Sequence, residues 1–281
     1  MIVKYNPVQV AAFYDSYGEQ EWDRLSKSPA ALVSFHIHQH YLQKYVKTSD
    51  SVLEVGAGAG RFTIELAKLG ALITVGDISF EQLKLNQKYA VEYQSETSVS
   101  SRVQLDIIDL SMFEAATFDV VVCYGGALSY VLEQANIALN EMLRVLKPEG
   151  YLLLSVMSLI GTTQAKFEAI TEIPNFTRLV DRVNTNGFLN GSTNNGHQLK
   201  MYRAKELKQL CQSHQCEIMA MSASNYLSLN RHELLEEMLT TDAWANFLRW
   251  ELDFCAEDGC LDSGTHIISV MKKTNNRYID H

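Results

Sequence analysis

Ser51-Val52-Leu53-Glu54-Val55-Gly56-Ala57-Gly58-Ala59-Gly60 is the stretch that decides the fold. Val52, Leu53 and Val55 form a short apolar run, the pattern of a strand buried on both faces rather than on one. Three alternate glycines follow, and Arg61-Phe-Thr-Ile-Glu-Leu-Ala-Lys-Leu then has helical spacing. Strand, glycine turn and helix open a nucleotide-binding βαβ unit. Glycine lets the backbone turn tightly and lets a ligand reach main-chain N–H groups with no Cβ in the way.

The spacing separates two kinds of ligand. A dinucleotide site reads G-x-G-x-x-G, which would put its third glycine at position 61, where this chain has Arg61; the third glycine is Gly60. The motif Glu54-x-Gly-x-Gly-x-Gly resembles motif I of the class I S-adenosylmethionine (SAM)-dependent methyltransferases. The resemblance implies an α/β fold: a Rossmann-like, mostly parallel seven-stranded sheet with helices on both faces. It also implies SAM as methyl donor and S-adenosylhomocysteine as product. SAM has no pyrophosphate to seat on a helix N-terminus. It carries an ammonium and a sulfonium, and the anionic Glu54 suits both, with Gly56, Ala57, Gly58 and Gly60 as the cradling loop.

The segments beyond the loop keep register with that motif. A second strand, Leu72–Asp77, ends on an acid about 20 residues past the loop, placed to accept both ribose hydroxyls. Ile78 is expected against the adenine face, and Ser79 caps a helix over 80–93. The third strand is read over 102–108, with the Ser/Thr-rich 95–101 as a loop. In the family an acid near this strand's end accepts from the adenine amino group and the next N–H meets a ring nitrogen; Asp106 and Ile107 match those places. The fourth strand, Phe118–Cys123, runs into Tyr124-Gly125-Gly126. Open α/β sheets bind ligands at the carboxyl ends of their strands, so Cys123 is expected beside the cofactor and Tyr124 beside the acceptor. The segment lacks the Asn-Pro-Pro-Tyr or Asp-Pro-Pro-Tyr of many amino- and amide-directed methyltransferases. Glu141-Met-Leu-Arg-Val-Leu-Lys-Pro-Glu-Gly150 is similar to the family's Arg-Val-Leu-Lys-Pro-Gly-Gly signature, with Glu149 in place of one glycine. The resemblance covers 50–158 with specific motifs and 201–273 more loosely.

Composition narrows the function. The chain has 281 residues, 47% hydrophobic and 20% charged, which suits one domain with appended segments. No run of about 18 apolar residues signals a membrane span, and the beginning does not read as a signal peptide. The five cysteines include no C-x-x-C pair, and reduced thiols in the cytoplasm are the expectation. The formal charge of −9, with no dense Lys/Arg cluster, favours a small-molecule acceptor over nucleic acid.

Two regions flank the core 50–158. Residues 1–49 read as an N-terminal helical cap. Ser28-Pro29 opens a helix to about Val46, and Tyr14, Tyr17 and Trp22 offer π-faces to a sulfonium. Residues 159–200 read as an inserted lid of short strands or loops, from the turn signals Asn186-Gly187, Asn190-Gly191 and Asn195-Gly196. Over 201–273 the sheet resumes with a helix over 204–213, a sixth strand from Cys216, a helix over 231–250 and a seventh strand from Thr265. Residues 274–281 read as a loose tail. His36, His38 and His40 do not complete a metal pattern, and no metal is expected. His38 and His197, with Tyr124 and Trp22, are the candidate acceptor contacts.

The reading is methyl transfer to a small molecule by positioning donor and acceptor. No residue stands out as a general base, and the attacked atom and oligomeric state stay open. Rival readings are a SAM-binding partner subunit without turnover, a methyltransferase of macromolecules, an aminopropyl transferase and a dehydrogenase. The missing acidic segment after the fourth strand argues against the third, and Gly60 against the fourth.

Overall fold

In the computed structural model, described over residues 4–190, 198–214 and 216–274, β1 (Ser51–Val55) lies inside a seven-stranded sheet. The other strands of that sheet are β2 (Leu72–Asp77), β3 (Val99–Gln104), β4 (Phe118–Cys123), β5 (Leu146–Met157), β8 (Cys216–Ala223) and β9 (His266–Lys273), in the order β3-β2-β1-β4-β5-β9-β8. β6 (Phe188–Leu189) and β7 (Leu199–Lys200) form a separate antiparallel pair. β9 runs against both its neighbours, and the remaining pairs are parallel. The chain leaves β1 toward β2 and β3 and returns to β4 on its other side. That reversal opens a crevice above the carboxyl ends of β1 and β4.

The apolar run of β1 feeds two cores. Val52 points to one face with Val75, Val120 and Val122, while Leu53 and Val55 point to the other with Val121 and Cys123. On the first face lie α3 (Pro29–Tyr45), α4 (Arg61–Lys68) and α5 (Phe80–Glu92), with α12 (His232–Met238) and α13 (Ala243–Cys255) outside α3. On the second lie α7 (Ala135–Val145) and α11 (Ala204–Gln212). Ser28 accepts from the Ala31 N–H and Ser79 from the Gln82 N–H, so both expected caps are in place. α1 (Pro7–Tyr17) and α2 (Gln20–Asp23) precede α3, and the short α6 (Ala127–Tyr130) follows β4. Among the described residues no helix is long and apolar enough to cross a membrane.

Three boundaries differ from the sequence reading. β3 starts at Val99, inside the Ser/Thr-rich stretch expected as a loop, and ends at Gln104. As the sheet's edge strand it is half-solvated, so serines at 100 and 101 cost it little. The helix expected over 231–250 is two helices. The Thr241 hydroxyl donates to the Met238 carbonyl at the break, the local competition that disfavours Thr and Asp inside helices.

The third difference is the largest. Segment 159–200 is mainly helical over its described part: α8 (Leu159–Ala165), α9 (Phe167–Thr171) and α10 (Phe176–Asn186). Phe176, Leu179, Val180 and Val183 recur at helical spacing, and Val183 packs with Leu159, Leu199 and Met201. Gly187, at φ 76°, caps the end of α10 instead of turning a hairpin. Asn195-Gly196 and Gly191 lie outside the described residues.

α8 is tied to the sheet by backbone proximity. A Cβ on Gly161 would stand 1.9 Å from the Gly264 carbonyl oxygen, just ahead of β9. Gly161→Ala is therefore expected to lower unfolding free energy by about 1–3 kcal/mol, the usual cost of overpacking. Denaturant titration checks this, with Gly259→Ala as control, since nothing lies within 4 Å of a Cβ there.

Candidate active site

A cleft of about 590 Å³, counting its mouth, lies over the carboxyl ends of β1, β2 and β4. Its floor is the glycine loop. Gly56 and Gly58 take φ values of 63° and 53°, which an L side chain rarely adopts. A Cβ on Gly56 would also come within 2.6 Å of the Ala127 Cβ on α6, so the loop could not seat against that helix.

Asp77, at the end of β2, holds the floor in place. Its Oδ2 accepts from the Gly58 N–H at 2.8 Å and its Oδ1 from the Ser79 N–H at 2.8 Å. Each oxygen keeps a further lone pair, and the side chain lines the cleft. Burial pushes its pKa up to about 6, against the pull of the two N–H donors. Ile78, Asp106 and Ile107 line the same wall, with Leu105. Asp106 Oδ2 accepts from the Tyr5 hydroxyl at 2.8 Å, so the N-terminal segment reaches across to this wall. Burial, then Asp106, raises the pKa of the Tyr5 phenol.

Glu54 lies beneath the cleft and is not among its lining residues. It is 2% exposed, and its Oε2 accepts from the Thr63 hydroxyl at 2.6 Å. Asn86 Nδ2 donates to that hydroxyl, and Arg102 Nε donates to Asn86 Oδ1. Burial pushes the Glu54 carboxyl up to about 8, opposed by Thr63 and reinforced by Asp77. Glu54 thus anchors a buried polar chain linking β1, α4, α5 and β3.

The far end of the cleft has polar residues that no motif announced. Arg24 and Glu21 form a forked ion pair, with Nη2 to Oε1 at 2.7 Å and Nε to Oε1 and Oε2 at 2.9 and 3.0 Å. Burial works to lower the Arg24 pKa, and Glu21 outweighs it, leaving the group charged. Tyr14 and Tyr130 meet edge-to-face at 5.6 Å beside this pair. Tyr124 is buried, and its hydroxyl has no hydrogen-bond partner among the described residues. The His38 ring stands 4.7 Å from that of Tyr124 and 6.4 Å from that of His266. His38 Nδ1 is 2.7 Å from the Ser34 carbonyl, which fixes it as donor, and Nε2 has no partner among the described residues. Burial lowers His38 to about 4, against the Ser34 carbonyl, and lowers His266 to about 3 with Arg24 and His38 adding to the effect. Both imidazoles are neutral at physiological pH.

The fold therefore gathers Gly56, Gly58, Asp77, Ile78, Asp106, Ile107, Tyr14 and Tyr124 around one cleft. Ala57 and Gly60 line an adjoining hollow with Glu21, Arg24 and Tyr124. Of the other expected contacts, Glu54 lies beneath the cleft and His38 behind Tyr124, and two more lie elsewhere. Cys123 is turned into the core against α7, because strand alternation sends it opposite to Val122, and burial pushes its thiol up to about 12. Trp22 stacks on Tyr89 at 3.7 Å with the Arg61 guanidinium over its ring, outside the cleft. His197 lies outside the described residues. Tyr5, Glu21, Arg24, Tyr130 and His266 were missed; the Glu21/Arg24 spacing of three along a helix was the one available signal.

Residues 53–154 match the family model described as a methyltransferase domain. Over 107 residues the chain is 35% identical to the ubiquinone biosynthesis O-methyltransferase of Xanthomonas oryzae, covering 38% of this chain and 43% of that protein. The chain thus spans under half the length of the curated relatives it matches. Among solved structures, the cyclase SpnF superposes with a TM-score of 0.62 at 17% identity, covering 97% of this chain and 98% of that one. A 1,6-didemethyltoxoflavin-N1-methyltransferase of Burkholderia thailandensis, solved with its substrate and S-adenosylhomocysteine, gives 0.57 at 15% identity over 95% and 88%. At such identities these structures share the fold.

A ligand whose hydroxyls donate to Asp77 binds the ionised carboxylate, so protons compete with it. S-adenosylhomocysteine affinity is expected to fall as pH drops through about 6, approaching tenfold per pH unit below that value. Asp77→Asn should weaken binding and flatten the profile. In the ligand-free protein the sign reverses: the raised Asp77 value contributes stability below its unfolded pKa and loses it as pH rises through about 6. Calorimetric titrations between about pH 5 and pH 8 check both.

Proposed function

We propose that this chain, whose residues 53–154 match the methyltransferase-domain model, transfers a methyl group from SAM to a small-molecule acceptor. The observation that carries the reading is the joint placement of the glycine loop, Asp77 and the Asp106–Ile107 wall on one cleft. The residues present fit the cofactor: Asp77 has lone pairs for a diol, Gly56 and Gly58, lacking a Cβ, let a ligand approach the loop backbone closely, and Tyr14 and Tyr124 supply π-faces suited to a cation.

SAM, when bound, supplies an electrophilic methyl group on sulfur. The chain's own residues do the rest. The cap residues Tyr5, Val10 and Tyr14 cover the cleft and exclude water. Arg24, held rigid by Glu21, puts a fixed positive charge beside the place where the acceptor must stand. That charge favours an oxygen acceptor, which is anionic or becomes so as its proton leaves. The O-methyltransferase name of the Xanthomonas relative points the same way. Neutral His266 and His38 can receive a hydrogen bond without repelling the sulfonium. The described part of segment 159–200 follows β5 and packs against Tyr130, which lines the cleft, and in this reading it serves as the acceptor's lid.

A formal charge of −9 and the half-closed cleft favour small acceptors over nucleic acid. SAM and S-adenosylhomocysteine are expected to bind and NAD not; NAD binding without SAM binding would overturn the assignment. Arg24→Met is expected to cut kcat on the order of 100-fold, the scale of a lost positioning contact, while S-adenosylhomocysteine affinity stays nearly unchanged. SAM binding with no transfer to any phenol, catechol or carboxylate in a panel would favour a partner subunit without turnover.

A further inference from the structure

A second and larger hollow, about 2060 Å³ counting its mouth, lies among α8, α9, α10 and the β6–β7 pair. It shares no lining residue with the cleft described above. Leu159, Ile170, Leu179, Val183, Leu199 and Met201 wall it. Its interior hydroxyls are turned away: Thr163 donates to the Leu159 carbonyl at 2.6 Å and Thr162 to the Thr265 carbonyl at 3.1 Å. The other polar lining residues, among them Gln164, Lys166 and Asn230, are exposed at the rim. A hollow of this lining offers apolar contact and little to bind a polar ligand.

Two residues join it to the reaction site. Met157, the last residue of β5, lines the hollow, and its Cγ stands 3.4 Å from the Cβ position of Gly126, where His266 Nε2 stands at 3.5 Å. Tyr130 lines the cleft and packs against the Leu159, Val183, Leu199 and Met201 cluster. One layer of side chains therefore separates the acceptor end of the cleft from the hollow.

We propose that the hollow seats an apolar arm of the acceptor, so that the substrate class is a small molecule with a polar, methyl-accepting head and a hydrocarbon arm. The assignment rests on reading the cleft as the methyl-transfer site. The head stands by Arg24 and Tyr130, and the arm reaches the hollow by displacing the flexible Met157 side chain, part of the single layer between the two. Burial of the arm supplies binding energy roughly in proportion to the apolar area it hides, and the polar head sets which atom reacts.

The test uses the full chain with S-adenosylhomocysteine and the fluorescent apolar probe N-phenyl-1-naphthylamine. The probe should bind saturably, and 4-octylphenol should displace it at concentrations at least about tenfold below phenol, the gain expected from burying several methylenes. Ile170→Trp and Val180→Trp fill the hollow from half-buried positions outside the cleft. Each should remove most of the octyl advantage while leaving S-adenosylhomocysteine affinity and the unfolding midpoint unchanged. Absence of saturable probe binding, or an octyl advantage that survives in both variants, overturns the proposal. Failure of S-adenosylhomocysteine to bind overturns the methyl-transfer reading instead, and the proposal falls with it. Cofactor binding with no octyl advantage overturns the arm alone.

Discussion

Asp77 ties two strands together at the point where the sheet reverses. Its carboxylate accepts N–H groups from the loop after β1 and from the turn after β2, so the two chain segments that form the cleft floor share one anchor. The glycines supply the dihedrals the loop needs, but they do not choose among the many conformations glycine allows. A buried carboxylate with two fixed donors does choose. The same side chain is then available to a ligand, so the group that organises the site also faces it. That dual use explains why a raised pKa and two charge-favouring hydrogen bonds coexist on one residue.

Beneath it, Glu54 has a different place from the one its motif suggests. The acid before the glycine loop resembles a direct partner of a cationic ligand, yet its oxygen is held by Thr63, and Thr63 by Asn86. Its influence on the cleft is exerted through a low-dielectric interior, where a charge is costly unless compensated. A cation arriving above it favours the ionised form that burial opposes. Asp77 and Glu54 therefore differ in kind: one faces the cleft, and the other lies buried beneath it.

The sheet and the cleft wall were legible because both are written locally. Val52, Leu53 and Val55 must be apolar on two faces, Gly56 and Gly58 must turn, and Asp77 must end its strand, all at fixed spacing. The far end of the cleft was not legible. Glu21, Arg24, Tyr130 and His266 come from separate stretches and meet only in three dimensions. Cys123 shows the same limit in reverse: its position at a strand end was right for a ligand contact, but alternation turned its side chain into the core. In segment 159–200 the Asn-Gly pairs outweighed the helical spacing of Phe176, Leu179, Val180 and Val183. Gly187 closes a helix there, a role that Asn-Gly at a hairpin and glycine at a helix end share on paper.

The N-terminal segment is held over the cleft by polar bonds to the site's own machinery. Tyr5 donates to Asp106, the Ser79 hydroxyl donates to Asp15, and Gln82 donates to the carbonyls of Tyr14 and Gly18. Ser79 is also the residue whose N–H braces Asp77. A molecule that draws on Asp106 Oδ2 competes with Tyr5 for that oxygen, so entry and departure are both exchanges of one partner for another. Such a latch ties the residence time of any molecule that engages Asp106 to the strength of one phenol hydrogen bond from a residue far from it in sequence.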